Sequence, residues 1–170
     1  ALLKKEDTFN DLITLARFWE DVINQDKDRF SPRILRRLFV LNYAPNGMWT
    51  YAVSVFFMQN KDTDGLLEEE QFYQFLKKIT GFIWTYAVTN PGVNALRTPV
   101  YAEMVNIVNG VPVTFAEYKF EPEKVQSMFG NFTFSNIRPI TKSMLAWWAF
   151  QDEEQEIFSL ETVLEIEHIY

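Results

Sequence analysis

The stretch from Met48 to Gln59 is apolar on nearly every side, and this governs what the chain can become. A helix that is apolar all round must be covered all round, so other helices have to pack on it from more than one direction. The flanking sequence supplies them. Phe9, Leu12, Ile13, Leu15, Ala16, Trp19, Val22 and Ile23 recur at helical spacing and predict a first helix over Thr8 to Asn24. Ser31-Pro32 reads as an N-cap followed by proline at the first helical position. It opens a second helix through Ile34, Leu35, Leu38, Phe39 and Leu41, which Pro45-Asn46-Gly47 brings to an end.

After a polar turn over Asn60 to Gly65, Leu66 to about Val88 reads as a long helix. Its start carries Glu68, Glu69 and Glu70, whose charges suit a helix N-terminus, and Gly81 marks a place for a kink. A further helix is expected from about Val93 to Val108, interrupted before Pro99. Gly110 to Tyr118 is less regular. Pro122 opens a short helix through Val125 and Met128, and Pro139 opens another through Ile140, Met144, Leu145, Trp147, Trp148 and Phe150. Gln151 to Glu156 is an acidic loop, and Thr162 to Tyr170 favours an extended strand. The expected fold class is all-α: an irregular multi-helix bundle of about six to eight helices with a short C-terminal extended segment.

The chemistry open to such a chain is narrow. There is no cysteine, and His168 is the single histidine, so thiolate metal sites, disulfides and His-rich clusters are excluded within these residues. A cysteine-free chain suits a reducing compartment, and the cytoplasm is the expected location. No apolar run reaches the roughly 18 residues of a membrane span. The formal charge of −7 argues against a chain that grips nucleic acid by itself, since phosphate neutralisation supplies most of that affinity. Arg33, Arg36 and Arg37 form the longest basic cluster, which reads as a solvated helix face before it reads as a phosphate contact. Ala1-Leu2-Leu3-Lys4-Lys5 has neither an initiator methionine nor a signal-peptide core, so the chain is expected to be an internal segment of a larger protein.

Asn60 to Gln71 is spaced like an EF-hand loop, with Asp62 and Asp64 at its third and fifth places and Gly65 at its sixth. It starts on Asn60 rather than aspartate, and its twelfth place is Gln71 rather than the usual bidentate glutamate. A turn in which Asp62 or Asp64 caps the following helix is the expected reading. Phe82, Trp84 and Tyr86, and the pair Trp147-Trp148, have the chemistry to stack on bases, but aromatics at helical spacing are expected in the core.

The chain closes on Ile166-Glu167-His168-Ile169-Tyr170. In a strand, neighbouring side chains point to opposite faces, so a carboxylate and an imidazole converge only at a local bend. A lone histidine in an apolar run is more often a packed or hydrogen-bonded core residue, but an acid-histidine pair at such a bend also suits phosphodiester hydrolysis, with the imidazole as general base on water and the acid holding a divalent cation.

A helical region, an acidic loop and then Leu164-Glu165-Ile166-Glu167-His168-Ile169 resembles the GmrSD-type modification-dependent restriction endonucleases, which join domain-of-unknown-function families 262 and 1524. The resemblance covers most of the chain in general pattern, and Glu167-His168-Ile169 carries its chemistry. It implies a helical domain over residues 1–160 and the first strand of an HNH-type nuclease module over residues 161–170. It also implies His168 as general base and Glu167 as a metal ligand of an incomplete site. The intact protein would cleave DNA with a divalent metal such as Mg in phage restriction, flanked by an N-terminal ParB-like module and a C-terminal nuclease module, with oligomers open to it. The segment alone would bind no cofactor and have no activity. The alternative is a non-enzymatic helical protein-interaction scaffold, which the negative charge and aromatic-rich helices also suit.

Overall fold

The computed structural model describes residues 6–90, 96–134 and 140–162, and seven helices stand among them. They are α1 Glu6–Ile23, α2 Pro32–Asn42, α3 Met48–Asn60, α4 Glu69–Thr89, α5 Arg97–Val108, α6 Pro122–Gly130 and α7 Ile140–Ala149. The described residues contain no strand, so the chain is all-α. The strand expected over 162–170 lies, apart from Thr162, outside the described residues.

Helix α3 is covered as its composition requires. It packs against α5 and against α1, and buries Trp49, Ala52, Val53, Phe56 and Phe57. The second pairing is α2 with α4, and α4 goes on to carry α6 and α7. Long, amphipathic and buried at eleven positions, α4 is the spine of the bundle, and it continues unbroken through Gly81.

In α1 the apolar face is narrower than the spacing suggests. Phe9, Leu12 and Ile23 stand 61%, 49% and 55% exposed, while the inward contacts are made by Phe18 and Val22. The cause is position: α1 packs on α3 at the margin of the bundle, so one stripe is used and the adjoining one faces water. Phe18 stacks on Phe57 with ring centroids 4.2 Å apart and meets Phe30 and Phe72 edge-on. Trp19 donates its indole N–H to Ser54 Oγ at 2.9 Å, fixing the register of α1 on α3.

Two helix starts differ from expectation. Ser31 precedes α2 in extended conformation but makes no side-chain cap; its hydroxyl donates instead to Glu69 Oε1 at 2.9 Å. The charge-assisted bond to that carboxylate orients the side chain towards α4, away from the first-turn amides that a cap would have to meet. Helix α4 begins at Glu69 rather than Leu66, because Glu68 is its cap: both carboxylate oxygens accept, from the backbone N–H of Glu70 and of Gln71.

The second half of the chain closes over α4. Val113 and Phe115 are buried, and Phe82 of α4 stacks on Phe115 with centroids 3.8 Å apart. Phe115 sits at φ 50, a left-handed turn that a bulky residue adopts only where packing holds it. Trp84, 2% exposed, donates its indole N–H to the carbonyl of Ser143 at 3.1 Å and ties α4 to α7.

Candidate functional site

Glu167 and His168, the residues expected to carry catalysis and metal, lie outside the described residues. The structure does describe how the chain is held on its way towards them. Arg36, on the outer side of α2, reaches the loop that follows α7. Its Nη1 donates to the carbonyls of Asp152 and Gln155 at 2.9 and 2.7 Å, and its Nη2 to the carbonyl of Glu153 at 2.7 Å. One planar guanidinium therefore gathers three carbonyls of a single turn. Beside it, Phe150 packs edge-on against Phe39 of α2 at 4.6 Å and against Phe158 at 6.1 Å. Gln25, just past α1, donates its side-chain amide to the carbonyl of Phe158 at 2.9 Å. Residues 150–158 are thus fastened at three places, two on α2 and one on the turn after α1.

The other two arginines of the cluster are engaged as well. Arg33 pairs with Glu69 at 2.6 Å and with Glu70 at 2.9 Å. Arg33 and Arg37 also lie over the Tyr73 ring, 4.7 and 5.7 Å from its centroid, with Lys77 at 5.6 Å. The basic cluster is therefore not simply a solvated face. It joins α2 to α4 and to the C-terminal loop.

The Arg33 guanidinium, by hydrogen bond first, holds the Glu69 carboxyl below its ordinary range; for Glu70 the Gln74 amide comes first and Arg33 second. A carboxylate with a lowered folded-state pKa adds stability above its unfolded pKa and loses it as pH falls through the folded one. We therefore expect Arg33→Gln to remove a small, salt-sensitive part of the stability difference between neutral pH and about pH 3. Urea unfolding of both proteins at low and high salt measures it; an unchanged acid limb would show that the pair contributes nothing.

The Asn60 to Gln71 loop is built as a turn, and several of its oxygens already accept hydrogen bonds. Asp62 Oδ1 accepts the backbone N–H of Asp64 at 2.9 Å and of Leu66 at 2.7 Å. The Asn60 side-chain oxygen accepts from Gln71 at 3.1 Å. The Gly65 carbonyl is bonded by Arg29, whose guanidinium also reaches Asp21 at 3.4 Å. A cation would have to displace those donors and sit beside a guanidinium, which works against calcium in this arrangement. Among the described residues, no group of three or more acidic, histidine or cysteine side chains is placed to hold a metal. The expected capping role of Asp62 or Asp64 is also corrected: Asp62 closes the turn and Glu68 caps α4. Gly65 turns at φ 73, the left-handed region for which glycine is suited.

Of the aromatic candidates, Phe82, Trp84 and Tyr86 are buried at 5%, 2% and 6% exposure and belong to the core. Burial raises the Tyr86 hydroxyl above its ordinary pKa, so it stays neutral. The tryptophan pair divides: Trp147 is half-buried, while Trp148 is 74% exposed. Among the described residues, no helix is long and apolar enough to cross a membrane. The role of Arg36 was not readable beforehand, because its partners are backbone carbonyls, which every residue possesses. No family model, no curated protein and no solved structure matches this chain.

Proposed function

We propose that this chain is the helical module of a metal-dependent DNA endonuclease, whose task is to fix the starting point of an HNH-type unit opening at Leu164–Ile169. The clasp of Arg36 on the 152–155 carbonyls carries the reading: it anchors to the bundle the chain leading into Glu167 and His168. In the intact protein His168 would take a proton from water, and Glu167 would help hold a divalent cation such as Mg against the scissile phosphate. DNA, an N-terminal ParB-like module and a C-terminal nuclease module are the proposed partners, phage restriction the role and the cytoplasm the place of action.

The test is metal-dependent DNA cleavage by the intact protein. His168→Ala should lower the rate by about 10²–10⁴-fold. Arg36→Ala should lower it less, and should speed protease cleavage within residues 151–162. Cleavage unaffected by His168→Ala would remove that imidazole from the mechanism.

A non-enzymatic interaction scaffold is the second reading, favoured by α7, which presents Leu145 at 39% and Trp148 at 74% exposure three residues apart on one face. An intact protein without nuclease activity, in which Trp148→Ala abolishes a protein complex, would favour it.

A further inference from the structure

The first turn of α3, the loop before it and the first two-thirds of α5 flank an open groove of about 780 Å³. Asn46, Gly47, Met48, Thr50 and Tyr51 form one wall, and Arg97, Tyr101 and Met104 the other. We propose that this groove binds a small organic anion bearing a flat ring.

Its size falls within the range that encloses small-molecule ligands. Its two tyrosines stand 59% and 64% exposed, on helices whose opposite faces pack against each other. Among the described residues neither ring is paired with another ring, and each leaves more than half of its surface accessible to a flat group. Arg97 makes no ion pair and no hydrogen bond among the described residues, whereas Arg29, Arg33 and Arg36 are all engaged. A planar guanidinium placed one helical turn from Tyr101 matches a carboxylate or a phosphate attached to that ring.

A separate observation concerns Asn46. Its side-chain oxygen accepts the backbone N–H of Met48 at 2.9 Å, which settles the orientation of the amide, and its Nδ2 is buried without an acceptor. A buried donor left unpaired keeps its full desolvation cost, and an acceptor on a ligand offsets that cost. The donor is covered, so a ligand that uses it must shift the short turn at residues 45–47. Met48 and Met104 add unbranched thioether side chains that adapt to a ring's outline. Cation and rings thus line one groove, and the covered donor belongs to a residue of the same wall. The inference stands whether or not the intact protein is a nuclease, because none of these residues belongs to the C-terminal segment.

Calorimetric titration of the chain with adenosine monophosphate and with indole-3-acetate tests it, the first joining a ring to phosphate and the second to carboxylate. Saturable binding of either, with Kd of about 1 mM or tighter, is expected. Arg97→Gln should weaken it about tenfold or more, and so should Tyr101→Ala, both at exposed positions that leave the fold intact by circular dichroism. The probe that binds more tightly identifies the anionic group. Saturation by neither probe, or binding indifferent to Arg97→Gln, would overturn the proposal.

Discussion

Phe18→Ala is expected to lower the unfolding free energy by about 3–5 kcal/mol, the cost of emptying a closed aromatic site. Phe18 is 2% exposed and touches Trp19, Phe30, Phe57 and Phe72, so four rings lose a neighbour at once. The contacts come from different elements, and no single backbone shift can close the void. Phe9→Ala in the same helix removes the same group from a position 61% exposed and should cost little. Urea unfolding of the two variants checks this. Equal midpoints would mean that the ring cluster does not hold α1 to the bundle.

Trp84→Ala should cost as much, about 3–5 kcal/mol, and it should act on a different part of the molecule. The indole fills the contact of α4 with α7 and donates to the Ser143 carbonyl at 3.1 Å. Trp84→Phe keeps a ring but loses the donor and part of the filling, so about 1–2 kcal/mol is expected for it. Hydrogen exchange separates the two contributions. In Trp84→Phe the amides of α7 should lose protection before those of α3; uniform loss would mean that α7 does not open separately.

Most of the architecture was legible in the residues. The all-round apolar character of 48–59 required a covered helix, and α5 and α1 cover it. Proline at the first turn marked α2 and α6 correctly. Periodicity did less well where burial is one-sided: in α1 it selected Phe9 and Leu12, which face water, and passed over Phe18. Spacing reports which residues share a face, but not which of two adjoining stripes the neighbouring helix will meet. The 60–71 loop has the outline of a cation site, and only the coordinates show Arg29 on the Gly65 carbonyl. The proposed groove was equally illegible, since residues 46–51 and 97–104 are brought together only by the packing of α3 on α5. Glu167 and His168 remain a reading of sequence.

The grip of Arg36 on main-chain oxygens also bears on how this chain can vary. A clasp on main-chain oxygens leaves the Glu153 side chain interchangeable, whereas Asp152 Oδ1 accepts the Glu154 backbone N–H at 3.0 Å and helps to keep the shape of the turn that Arg36 grips. Descendants of this sequence are free to reverse the charge at Glu153 but need an acceptor at Asp152, while Arg36 itself has no substitute of equal reach and planarity.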